Sequence, residues 1–145
     1  MTDKRAPQRA LLPLWAAVLS AGLAAVMMDL AYPEAAVWIL AFPATALVLV
    51  SLIGRRFGGA LLVGVVYGIL FFGLLVSWTS RYLGPVPWAA LSVLEGVLTG
   101  IALVPIALAY RWLPKAFPGT AGRLLALPAV VAAFWVGREL FVGSW

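Results

Sequence analysis

Long uncharged stretches govern what this chain can become. Not one charged residue falls between Ala10 and Met28, between Ala35 and Gly54, or between Phe57 and Ser80. A fourth run, Tyr82 to Tyr110, is interrupted only by Glu95, and a fifth, Leu124 to Gly137, ends at Arg138-Glu139. A helix of about 20 predominantly apolar residues crosses the hydrocarbon core of a bilayer. Within that core every backbone N–H and C=O must be paired inside the protein, which leaves helices or a closed barrel. The runs lack the alternation of barrel strands. The expectation is an all-α, polytopic integral membrane bundle of about five transmembrane helices.

Composition narrows the function classes. Hydrophobic residues make up 65% of the chain and charged residues 10%, more apolar surface than a soluble domain of this size can hide. The net charge of +5 is spread over helix ends in ones, twos and threes, with no basic stripe interleaved with aromatics, so nucleic acid is not expected as a partner. There is no Cys and no His. Thiol nucleophiles, disulfides and His-based proton relays are thereby excluded, as are most transition-metal sites. No cofactor, metal site or catalytic residue is expected within these residues.

Positive residues favour the cytoplasmic side of a membrane. Lys4, Arg5 and Arg9 precede the first run, Arg55-Arg56 follow the second, and Arg111, Lys115 and Arg123 follow the fourth. Only Arg81 and Arg138 fall on the other side. The pattern predicts a cytoplasmic N-terminal tail over 1–9, a transmembrane domain over 10–145 with spans at 10–31, 35–54, 59–81, 86–110 and 123–142, and a C-terminal end, at Trp145, on the outer face. The first run, 19 uncharged residues from Ala10 to Met28, reads as a retained span, since it is longer than a signal-peptide core. Tyr32-Pro33, Gly84-Pro85-Val86-Pro87, and Leu113-Pro114 with Pro118-Gly119 carry turn chemistry. Pro43, Pro105 and Pro128 lie within spans and are expected to kink them.

Two pairs of small residues mark close-approach faces: Gly64 with Gly68 in the third span, and Gly96 with Gly100 in the fourth. Among polar residues Glu95 stands out. It lies about 13 Å below the outer end of its span at 1.5 Å per residue, where an acid costs about 2.5–3.5 kcal/mol on insertion scales. Ser92 and Thr99, at i−3 and i+4, share its face. The stripe Ser92-Glu95-Thr99 has two readings: a proton, cation or headgroup site, and a polar contact that locks helices together. Arg138 and Glu139, about 100° apart on a helix, are not expected simply to neutralise one another. One reading anchors both at the interface, and another turns Arg138 inward toward Glu95. Asp29 and Glu34 flank the outer hairpin as solvated turn residues.

The order of landmarks resembles that of bacterial apolipoprotein N-acyltransferases. Tyr32-Pro33 followed by Trp38 is similar to that family's short opening hairpin. Gly64-x-x-x-Gly68-x-x-Phe71-Phe72-Gly73, then Trp78 and Tyr82-Leu83-Gly84-Pro85, resembles its third span and outer turn. Leu127-Pro128-Ala129, then Trp135 and Glu139, resembles the next landmark, although the Arg that often follows three residues later is here Val142. The resemblance implies a multi-pass protein of the bacterial plasma membrane that moves an acyl chain from a phospholipid to a diacylated lipoprotein. It also implies an outer nitrilase-like domain whose Glu-Lys-Cys triad carries the acyl group as a thioester. None of those three residues can be assigned here, and the catalytic domain is expected to be absent from these 145 residues. The chain then reads as the N-terminal membrane portion, anchoring a downstream catalytic domain and helping lipids enter sideways. The rival readings are a small transporter with Glu95 as its coupling site and a non-catalytic membrane scaffold.

Overall fold

The computed structural model describes residues 9–32 and 34–142. Lys4, Arg5, Pro33 and Trp145, which entered the orientation and hairpin arguments, lie outside the described residues. Those residues form α1 (Leu14–Ala31), α2 (Ala41–Leu52), α3 (Phe57–Leu75), a short α4 (Thr79–Leu83), α5 (Pro85–Ala116) and α6 (Leu127–Val142). A 3₁₀ turn, Trp38–Leu40, leads into α2, and a π-helical turn, Gly122–Ala126, leads into α6. The fold is all-helical. Three of the described helices, α1, α3 and α5, are long and apolar enough to cross a membrane. At 1.5 Å rise per residue the 32 residues of α5 reach about 48 Å, well beyond a hydrocarbon core of about 30 Å.

α3 and α5 are the central pair. α1 packs against α3 and α2, and α6 packs against α5. α1 meets its neighbours through a small-residue face, Ala17, Ala21, Ala24 and Ala25, all fully buried. Its other side presents Leu19, Leu23 and Val26 outward. In lipid this inversion is sensible, because exposed leucines match acyl chains and helix association rests on close van der Waals packing. The larger core side chains come from α3 and α5, with Val63, Tyr67 and Phe71 set against Leu103 and Ile106.

The α3–α5 seam explains both glycine pairs. A Cβ on Gly64 would stand 2.8 Å from the Gly100 Cα, and one on Gly68 would stand 2.7 Å from the Gly96 Cα. The two faces are therefore each other's partner in antiparallel register. Any side chain at these positions would drive the backbones apart.

Proline positions depart from expectation. Pro43 sits in the first turn of α2, where a missing N–H costs little, whereas Pro128 lies inside a helical stretch that runs unbroken from Thr120. The π-helical turn immediately before α6 lets the chain enter Pro128 without a clash against the preceding turn. Leu113-Pro114 is not a turn: α5 continues through Pro105 and Pro114 to Ala116. Gly84 is a turn, with φ +88° at the N-terminus of α5 and Pro85 as the first helical residue.

Candidate functional site

The two ends of the bundle differ in chemistry. At one end Arg9, Arg55 and Arg56 line a hollow with Gly54 and Gly59. Arg55 is buried there. Its Nε donates to the Ser51 carbonyl at 2.6 Å, and one Nη donates to the Leu12 and Pro13 carbonyls at 2.9 and 3.1 Å. One guanidinium thus ties the end of α2 to the entry of α1. Burial pushes its pKa below the ordinary arginine value. Gly54 closes this join at φ +72°, and the Arg9 carbonyl occupies the space that a Cβ would need. The sequence marked Arg55 as an orientation signal, and its stapling role was not visible there.

Of the polar stripe on α5, Ser92 and Thr99 are buried and Glu95 is half-buried. The Ser92 hydroxyl donates to the Trp88 carbonyl one turn back, at 2.9 Å. Thr99 lies in the seam against Gly68. Glu95 Oε2 and Thr99 Oγ1 are buried with no hydrogen-bond partner among the described residues. Next to this stripe Trp88 Nε1 donates to the Gly73 carbonyl at 3.0 Å, fixing the top of α5 to α3.

Arg138 does not turn toward Glu95. It is buried on α6, lies over the Trp135 ring at 5.4 Å and pairs through Nη1 with Glu139 Oε1. The adjacent pair does meet, because both side chains are long enough to fold back toward one another despite their divergent helical directions. Glu139 itself remains half exposed. Arg138 and Glu139 also line a cavity of about 180 Å³ with Met28, Tyr32, Tyr67, Phe71 and Phe72. This cavity exists because α6 packs on α5 and, among the described residues, makes no close backbone contact with α1 or α3. The Arg138 side chain reaches across the gap.

Inside it, Arg138 Nε and the fully buried Tyr67 hydroxyl have no hydrogen-bond partner among the described residues. Tyr67 stacks on Phe71 with ring centroids 5.9 Å apart, and Tyr32 meets the other side of the cluster, 5.5 Å from the Phe71 ring. The Tyr32 phenol is pushed above its ordinary value by burial and by the Glu139 carboxylate, with Arg138 opposing. Sequence reasoning missed Tyr67. The available signal was the single hydroxyl within the apolar, uncharged residues of α3, Phe57–Leu75.

A second cleft of about 380 Å³ lies nearer the N-terminal end of α6. Thr45 and Leu49 of α2, Tyr110 of α5, and Val131, Trp135 and Val136 of α6 line most of it. Its surface is almost wholly apolar, and Trp135 stands between it and the Arg138 cavity.

Residues 24–145 match the family model of the apolipoprotein N-acyltransferase N-terminal domain. The apolipoprotein N-acyltransferase of Mycolicibacterium smegmatis is 34% identical over 91 residues, covering 61% of this chain and 15% of that protein. No solved structure matches the chain.

Proposed function

The chain belongs to the apolipoprotein N-acyltransferase family as its N-terminal domain, and from that premise we propose that it is the membrane bundle that anchors the acyl-transferring part of the enzyme. The family match over residues 24–145 carries this reading. The chain spans about 15% of the length of the curated relative it matches, so acyl transfer itself belongs to the proposal. In this reading the bundle crosses the bacterial plasma membrane five times. The Arg9, Arg55 and Arg56 end faces the cytoplasm, and the Tyr32 and Arg138 end faces outward. The gathering of three arginines at one end supports that orientation. The bundle's work is to hold a catalytic domain against the outer leaflet and to offer lipid substrates a lateral way in. A phospholipid is the acyl donor and a diacylated lipoprotein the acceptor.

A chimera tests the proposal. The 145 residues replace the matching N-terminal segment of the M. smegmatis relative, and N-acylation of a diacylated lipoprotein is followed by mass spectrometry. The chimera is expected to retain acyl transfer, and the 145-residue chain alone, having no cysteine to carry an acyl thioester, is expected to show none. An inactive chimera that inserts and folds overturns the reading.

A further inference from the structure

Arg56 stands where an arginine is least at home. A basic side chain suits the C-terminal end of a helix and is disfavoured at the N-terminal end, where the dipole is positive. Arg55 follows the rule, since its Nε donates to the Ser51 carbonyl at the end of α2. Arg56 breaks it. It is the N-cap of the 19-residue α3, and its side chain makes no capping bond. The N–H groups of Phe57, Gly58 and Gly59 have no acceptor inside that helix. Among the described residues no carboxylate pairs with Arg9, Arg55 or Arg56.

The chain builds a third cation into the same place. The Leu11 N–H donates to the Ile53 carbonyl at 3.3 Å, and the Arg9 carbonyl lies against Gly54. The entry to α1 is thereby pinned beside the α2–α3 join, with Arg9 next to Arg55 and Arg56 around a hollow of about 400 Å³. Arg55 is only 6% exposed. Its Nε and Nη2 are taken by carbonyls, whereas Nη1 has no acceptor among the described residues. Nη1 stands 3.8 Å from the point where a Cβ on Gly59 would be, over the first turn of α3. A Cβ on Gly58 would meet nothing within 4 Å, so the helix end is open to an occupant.

The groups that converge there are donors. A guanidinium has no acceptor, and the N–H groups at a helix start point at whatever sits before them. Three cations and a helix N-terminus suit an occupant with more than one negative charge and several acceptor oxygens. A phosphomonoester brings about −1.5 to −2 charges at pH 7 and three such oxygens. A carboxylate or a phosphodiester brings fewer of both. The arginine fork also matches phosphate oxygens in pairs.

We propose that the hollow between the entry to α1 and the first turn of α3 is a binding site for a phosphomonoester, held by Arg9, Arg55 Nη1, Arg56 and the N–H groups at the start of α3. The phosphate comes on a lipid of the facing leaflet or on a soluble ester, and its chemistry at the arginines is the same. The hollow shares no lining residue with the Arg138 cavity. Acyl transfer by the chimera can fail while phosphate binding stands, and the converse also holds.

The test is thermal unfolding of the full 145-residue chain in neutral detergent at constant ionic strength. It is titrated with sn-glycerol 3-phosphate and, separately, with dioleoylphosphatidic acid. A ligand that binds only the folded chain raises its midpoint, and at least one of the two is expected to do so. A rise with phosphatidic acid alone assigns the phosphate to a lipid, a rise with glycerol 3-phosphate assigns it to a soluble ester, and either supports the site. Dioleoylphosphatidylglycerol, a diester, is expected to bind at least about tenfold more weakly than the effective monoester. Arg9→Gln combined with Arg56→Gln, both exposed side chains, is expected to weaken binding at least about tenfold. Gly58→Asp, which plants a carboxylate in the first turn of α3, is expected to raise the midpoint without ligand and to abolish the further rise with it. No rise with either monoester, an equal rise with the diester, or a rise that survives both the arginine substitutions and Gly58→Asp overturns the site. Gly58→Asp decides by itself if the arginine variant fails to fold.

Discussion

The α3–α5 seam and the flank of α6 are built from the same apolar vocabulary to opposite ends. Along the seam four glycines bring backbones so close that a single added carbon would stand under 3 Å from the facing chain at Gly64 and Gly68. Along α6 the packing is loose enough to leave an apolar cleft of about 380 Å³ and a polar cavity of about 180 Å³. Close packing drives helix association in lipid, where burying one more leucine gains little over leaving it against acyl chains. A helix with large residues on its inner face and no small-residue partner therefore sits off the bundle, and the space it leaves is open to ligands. The seam is where the domain is held together, and the flank is where it has room to bind.

The largest expected effect breaks this contrast most directly. Gly96→Leu places a side chain into the Ile69 backbone, whose nitrogen lies 2.7 Å from the point where a Cβ would stand. The added bulk meets the Ile69 backbone as well as the inner carbon of its β-branched side chain, so a loss above about 3 kcal/mol or outright misfolding is expected. Gly137→Leu on α6 meets nothing within 4 Å, and a change within about 1 kcal/mol is expected. Thermal unfolding of both variants in detergent measures the difference. Equal losses at the two positions would mean that α6 is as tightly held as the seam, and the comparison would fail.

The fold was legible to different depths at these two places. The apolar runs and glycine spacings announce helices and close-approach faces, because both are local properties of the chain. They do not say that the Gly64 and Gly68 face meets Gly100 and Gly96, since spacing specifies a face and not its partner. Pro114 departs from expectation for a related reason. Pro next to a polar stretch usually ends a helix, but here α5 runs on past the apolar segment, in a long rod held by α3 and α6. Tyr67 and Arg138 lie in one cavity though far apart in the chain, and nothing local to either signals the other. Arg138 by itself reads as an interfacial anchor. Its burial comes from the α1 and α3 residues that line the same cavity, which is a tertiary fact.

Glu95 sharpens the comparison at intermediate scale. It sits beside the seam, half-buried, with Oε2 unpartnered among the described residues. If the seam owes its stability to glycine packing, this carboxylate adds nothing to it and carries only the cost of an acid within a span. Glu95→Gln is then expected to leave the fold intact and to raise stability by up to about 1 kcal/mol near neutral pH, read by the same unfolding measurement. A loss of more than that would show the acid joining helices, as one reading of the Ser92-Glu95-Thr99 stripe holds. Proton uptake by reconstituted vesicles that vanishes in Glu95→Gln would instead favour the transport reading.

The smallest effect concerns the mouth of the flank, where Tyr32 faces Phe71 and the Arg138 cavity. Its pKa is raised by burial and by Glu139 above the ordinary 10.0. For a group whose folded pKa is raised, the folded state holds the proton more tightly than the unfolded chain does. The stabilisation is complete below pH 10.0 and is lost as pH climbs through the folded value. Stability of the chain in detergent is therefore expected to fall on the alkaline side, and Tyr32→Phe, which keeps the ring against Phe71 and removes the titrating hydroxyl, is expected to flatten that fall slightly. The outcome discriminates between two pictures of the cavity mouth. A mouth open to water would hydrate the phenolate and leave the alkaline limb unchanged by the substitution, whereas a mouth closed by Tyr32 over Arg138 makes the phenol's proton part of the folded state.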